Sequence, residues 1–231
     1  MSIASNYRMI SDQVAQTAMD SGRKPDDIRI IAVSKGFPVE SIREALDANI
    51  HLFGENRVQE GSAKIAALAG VSSPPSFHLI GHLQSNKAKE AVRLFDCIHS
   101  IDKIDTAQRV DREAGLIGKR QRILVQVNTS GELSKSGCSP DQACALCESI
   151  SSLHNIELAG LMTIGPLTDN EFSVRASFAD LYKLRESIRE STGLPLDELS
   201  MGMSGDFKIA IAEGATLLRI GSALFGERVY T

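Results

Sequence analysis

The sequence predicts an α/β protein: a single (β/α)8 barrel of the TIM type with one additional helix at its amino terminus. Three observations predict it. Apolar, strand-like runs alternate with helix-like stretches about eight times, which is the barrel's own number. No GxGxxG follows the first strand, so the usual dinucleotide signature of an open sheet is missing. At 231 residues the chain has the length of barrels that fold as one domain with one core, and that domain is expected to span 1–231. Periodicity alone leaves the open, doubly wound sheet as the alternative.

The elements follow in order. Ile3, Tyr7, Ile10, Val14 and Ala18 fall at steps of three or four, one face of a leading helix stopped at Gly22. IRIIAV, Ile28 to Val33, is too uniformly apolar for a half-exposed strand and reads as a buried parallel one. Pro38 opens a helix with Ile42, Ala45 and Leu46 on one side. His51-Leu52-Phe53 leads to a helix from about Arg57 to Ala69, and FHLIG to a helix over Asn86 to Phe95. Cys97 to Ile101 precedes a helix from Lys103 to Ala114; RILVQVN, Arg122 to Asn128, precedes a helix opened by Ser139 and Pro140. ELAGLMTIG is followed by a long helix across Phe172 to Ser191, ELSMGMS by the helix Phe207 to Ala212, and TLLRIG by ALFGERVY. The stretch Ser72 to Ser76 is a loop, and no linker divides the chain.

Composition narrows the classes of function. Hydrophobic residues make up 42% and charged residues 23%, which is globular and neither disordered nor fibrous. A net charge of −4 with no Lys/Arg block removes the basic footprint of a nucleic-acid binder. Arg8, Asp12 and Asp20 interrupt the amino terminus, leaving no signal peptide, and no apolar stretch is long enough to span a membrane; a cytoplasmic protein is expected. Cys144 and Cys147 have CxxC spacing but sit in a helix without further ligands, so no metal site is expected.

In a barrel the working groups lie where strands end. Lys35 follows IIAVS directly and precedes Gly36 and Pro38, at the barrel mouth beside apolar walls, where the neutral amine needed for carbonyl attack is favoured. A solvated loop lysine is the plainer reading of Lys35 by itself. SMGMSGD and RIGSALFG supply glycines, hydroxyls and helix starts after the seventh and eighth strands, where barrels commonly bind phosphate. Gly221 and Ser222 would let backbone N–H groups approach a phosphate and Ser204 would donate its hydroxyl, while capping of the next helix by Ser204 with Asp206 is the alternative. An amine on strand one with a phosphate cradle on strands seven and eight suits an aldehyde carrying a phosphate.

The strings IAVSKGFP, FGENRVQE, FHLIGHLQSNKAK, SIDK, VQVNTSGELSKSG, LAGLMTIGP, LSMGMSGDF and LLRIGSALFG closely resemble the pyridoxal phosphate homeostasis proteins, also called proline-synthase co-transcribed proteins, which share the amino-terminal barrel of alanine racemase. The resemblance runs from about Ile30 to Gly226. It implies that pyridoxal 5′-phosphate is the cofactor, joined to Lys35 as a Schiff base. It makes Ser204, Gly221 and Ser222 phosphate ligands, and Arg219 the partner of the pyridine nitrogen. Asn56 lies near the cofactor in the family, and His78, Met201 and Met203 fall on strands that line its ring. For the methionines core filling is the plainer account, for His78 a hydrogen-bonded strand position, and for Lys87 and Lys135 solvated lysines.

An always-protonated arginine keeps the pyridine nitrogen unprotonated, so carbanion chemistry is weakly supported. Alanine racemase tolerates such an arrangement, but it adds a carboxy-terminal domain with a catalytic tyrosine; this chain ends at Thr231, with Tyr230 the only tyrosine near that end, and nothing equivalent is expected. The resemblance therefore implies a monomeric protein that stores, buffers or delivers pyridoxal phosphate, with recipient enzymes as candidate partners. The competing readings are a pyridoxal-phosphate amino-acid racemase and a Schiff-base aldolase acting on phosphosugars.

Overall fold

The computed structural model describes residues 2–132 and 135–227. Its strands are Arg29–Val33 (β1), Leu52–Glu55 (β2), Ser76–Leu79 (β3), Cys97–Ile101 (β4), Gln121–Gln126 (β5), Ile156–Met162 (β6), Glu198–Met203 (β7) and Leu217–Ile220 (β8). The helices are Ile3–Asp20 (α1), Val39–Asp47 (α2), Val58–Ala67 (α3), Ala88–Leu94 (α4), Ile104–Gly115 (α5), Pro140–Ser151 (α6), Glu171–Thr192 (α7), Phe207–Ala212 (α8) and Ser222–Phe225 (α9). Every strand pairs in parallel with its sequence neighbours, and β8 returns to β1 through Arg29↔Leu217 and Ile31↔Arg219. The sheet is closed, and the open alternative is set aside.

Closure explains the uniformly apolar strands, because both faces are covered. One face packs against the helices through Phe53, Leu79, Ile98, Val125, Leu161 and Leu199, with Phe95 and Phe178 among the large fully buried side chains. The other face fills the lumen, where Ile31, Cys97, Leu124, Met162 and Leu217 form an apolar plug of their own. At the amino-terminal end the lumen is sealed by charge: Glu198 Oε1 pairs with Arg29 Nη2 and, at 2.8 Å, with Arg122 Nη2.

Helix α1 begins at Ser2, whose Oγ accepts from Ser5 N at 3.2 Å, and ends where Gly22 takes φ +70°. It packs against α2, α8 and α9, and Asn6 Nδ2 donates to Leu224 O at 2.9 Å. Several boundaries differ from expectation, three of them for evident local reasons. Residues 85–87 wind as a 3₁₀ turn before α4, delaying the helix expected from Asn86. β5 stops at Gln126 because Val127 and Asn128 turn to bridge Cys138. The last helix stops at Gly226, with φ +87°, and the expected continuation to Tyr230 lies outside the described residues. Among the described residues no helix is long and apolar enough to cross a membrane.

Candidate functional site

At the carboxyl end of the strands the barrel opens into a cavity of about 450 Å³. Lys35, Asn56, Ser204, Arg219, Gly221 and Ser222, all expected at one site, line it together, and Met203 joins them. Lys35 occupies the second position of a tight turn that leaves β1: Phe37 N donates to Ser34 O at 3.0 Å, and Gly36 takes φ +74°. A third turn residue with positive φ is what glycine supplies without strain, which is why SKGF turns here.

Ser204 does not cap α8. Its Oγ accepts from Gly221 N at 3.3 Å and Ala223 N at 3.2 Å, at the start of α9, while Asp206 Oδ1 accepts from Met203 N at 2.5 Å. The bonds to Ser204 are long for N–H···O, so an anionic oxygen could compete for these donors. Nothing in the fold demands glycine at 221, since a Cβ there would meet Val33 at an ordinary 3.5 Å. Its absence keeps the cavity wall open.

Arg219 is buried: Nη1 donates to Ser200 Oγ at 2.7 Å and Nη2 to Thr163 O at 2.8 Å. Burial pulls its guanidinium down to about 10, still protonated at neutral pH. The chain continues inward, with His99 Nδ1 lying 3.0 Å from Ser200 Oγ and His99 Nε2 lying 2.9 Å from His78 Nδ1. Burial lowers His78 to about 4, and burial followed by the neighbouring His78 lowers His99 as well.

Two expected residues do not reach the cavity. His78 is held in the His99 chain within the barrel, as a hydrogen-bonded strand histidine. Met201 is fully buried in the layer against the helices, because its neighbour Ser200 takes the lumen side and strand side chains alternate. The β7–β8 register then slips between Ser200 and Met203, which brings Met203 to the mouth. Cys144 and Cys147 lie on α6, and both are free thiols. His78, Cys97 and His99 form one buried group of metal-ligating types, with burial pushing the Cys97 thiol up to about 12.

Sequence reasoning missed three features. Lys135 lines the cavity instead of standing in solvent, with Nζ donating to Glu132 Oε1 at 2.8 Å and Gly165 O at 2.7 Å. Gln126 and Ile164 also line it. Beneath Lys35 lies a buried network: Lys64 Nζ donates to Ser34 O, Glu55 Oε1 and Glu60 Oε1, each at 2.7 Å. The visible signal was an acidic residue inside an apolar strand, Glu55 in LFGE. Among the described residues no carboxylate lines the cavity, while Lys35, Lys135 and Arg219 all do, so its chemistry is that of an anion binder with amines.

Comparison with known proteins gives a consistent neighbourhood. The family described as "Alanine racemase, N-terminal domain" matches residues 4–229. A pyridoxal phosphate homeostasis protein of Pseudomonas aeruginosa is 43% identical over 230 residues, covering 99% of this chain and 96% of the relative. The structure of PipY of Synechococcus elongatus with PLP bound superposes with a TM-score of 0.82 at 40% identity, covering 92% of this chain and 100% of that one. An alanine racemase from Clostridium difficile, at 15% identity and a TM-score of 0.74, shares the fold; the match covers 93% of this chain and 58% of the racemase.

Proposed function

The chain belongs to the alanine racemase N-terminal domain family and to the pyridoxal phosphate homeostasis proteins, and from that premise we propose that it binds pyridoxal 5′-phosphate and stores, buffers or delivers it, without dedicated turnover of its own. The observation that carries this reading is the composition of the mouth cavity, where the described residues supply three cationic side chains, hydroxyls and backbone donors and no carboxylate. When bound, the cofactor supplies an aldehyde that condenses reversibly with an amine.

The residues present fit that group. Lys35 is the amine that takes the aldehyde. Ser204 and Ser222 with the backbone N–H groups around Gly221 hold the phosphate, aided by the cationic surroundings. Arg219, a guanidinium that can only donate, would stand at the ring nitrogen and would keep it an acceptor. Asn56 borders the same space. Arg219 would place no proton on that nitrogen and so would give weak support to carbanion formation; the carrier is preferred to a racemase because the relative at 43% identity is named a homeostasis protein. The racemase reading rests only on a distant likeness of fold.

The relatives' names and the free cysteines suit a carrier in a reducing cytoplasm that hands its cofactor to recipient enzymes. An absorption spectrum before and after borohydride tests the reading. Cofactor-loaded protein is expected to show a long-wavelength band that reduction abolishes while fixing one adduct per chain. Protein that takes up no cofactor would overturn it.

A further inference from the structure

Lys64 is buried on α3, yet its ammonium has three acceptors for its three hydrogens. One is the carbonyl oxygen of Ser34, immediately before Lys35. Another is Glu60 Oε1, which also accepts, at 2.6 Å, the N–H of Gly36, immediately after Lys35. The third is Glu55 Oε1, which accepts the Ser34 hydroxyl at 2.6 Å. The groups on both sides of Lys35 are thus gripped by one ionic network rooted in α3 and β2.

Such a network is a poor choice for stability alone, because well-packed apolar side chains commonly do as well as buried ion pairs or better. What ions fix is geometry. Glu60 is the member that reaches solvent: its side chain is 28% exposed, against 0% for Glu55 and 8% for Lys64. It also borders a groove that shares Asn56, Gly81 and His82 with the mouth cavity. Burial works against the Glu60 charge, but Lys64, the Gly36 N–H and Arg57 outweigh it and hold the carboxyl below its ordinary range. Glu55, enclosed in the protein, is pushed up by burial despite Lys64 and Ser34.

Resting on the assignment of Lys35 as the cofactor amine, we propose that Lys64 and Glu60 are positioning residues for Lys35. They form a clamp that holds its turn in the geometry needed to retain the cofactor, and Glu60, its outer member, sets how readily that grip loosens. Neither residue lines the mouth cavity, so both act through the Lys35 backbone.

The test uses full-length protein loaded with pyridoxal phosphate. The rate of cofactor loss is followed by absorbance on dilution, the site of borohydride trapping by peptide mass, and the denaturation midpoint as a control. Lys64→Met is expected to speed loss roughly ten- to a hundredfold, the scale of a slight misplacement of a reacting group. Glu60→Ala should speed it too, and Glu60→Gln, which can still accept both hydrogen bonds, should fall between it and wild type. Because Glu60 is half-buried, its variants keep the question open to test even if Lys64→Met fails to fold. Loss rates for Glu60→Ala equal to wild type, or changed only in proportion to the denaturation midpoint, overturn the clamp. A wild-type adduct absent from Lys35 overturns the assignment on which it rests, and the clamp with it.

Discussion

Arg219 Nη1 donates to Ser200 Oγ across 2.7 Å inside the barrel, and the same oxygen stands 3.0 Å from His99 Nδ1. Since the hydroxyl already accepts from the guanidinium, its own hydrogen is available to His99 Nδ1. His99 then carries its proton on Nε2 and gives it to His78 Nδ1. This assignment follows from the donor pattern and makes an ordered, neutral pair of imidazoles beneath the mouth cavity.

That pair predicts how stability depends on pH. The native His78 is lowered to about 4, while an unfolded histidine titrates near its ordinary value of 6.5. Between these values the unfolded state binds a proton that the native state refuses, so stability falls as pH drops through the window and levels off below it. The His78 share is roughly 3 kcal/mol, at about 1.4 kcal/mol per pH unit. His99 shifts in the same direction. Urea midpoints from pH 7 to pH 4 should fall more steeply for wild type than for His78→Asn; equal slopes would remove the buried-neutral assignment.

Lys35→Ala is expected to lose the borohydride-trapped adduct while keeping its fold, because Lys35 lies in a turn at the mouth and the core layers do not include it. Intact mass reads the result: one pyridoxyl-phosphate group on wild type and none on the mutant. Trapping that persists on Lys135, which lines the same cavity, would move the assignment.

The donors proposed for the phosphate predict that pyridoxal binds much more weakly than its phosphate ester, each lost charge-assisted hydrogen bond being worth roughly 1.5 to 3 kcal/mol. Ser204→Ala should narrow that gap by about the value of one bond. Calorimetric affinities for the two aldehydes measure it. A mutant that discriminates as well as wild type would leave Ser204 a cap for the α9 backbone and nothing more.

The place proposed for Arg219 at the ring nitrogen predicts slow chemistry at an amino acid's α-carbon. L-alanine or L-serine should exchange that hydrogen for deuterium far below the ~1 to 1,000 per second typical of enzymes. NMR in heavy water follows the exchange directly. Enzymic rates that vanish in Lys35→Ala would sink the carrier reading and promote the racemase.

By itself the sequence determined the alternation of elements, the leading helix and the strand-end positions of Lys35, Ser204 and Gly221, while Asn56 and Arg219 stood out through the family resemblance. Parallel strands buried on both faces are written as continuous apolar runs, and the residue after each run is local information. Only the tertiary structure decided that the sheet closes, because the pairing of β8 with β1 joins opposite ends of the chain and leaves no local period. It also decided which way strand residues face: Ser200 turns inward to Arg219, sending Met201 into the helix layer, and a slip in register brings Met203 to the mouth. Glu60 and Lys64 read locally as an ordinary (i, i+4) surface pair on α3. Folding places that pair beneath Ser34 and Gly36, and excluding water there makes three hydrogen bonds from one ammonium a matter of geometry that helix spacing does not encode.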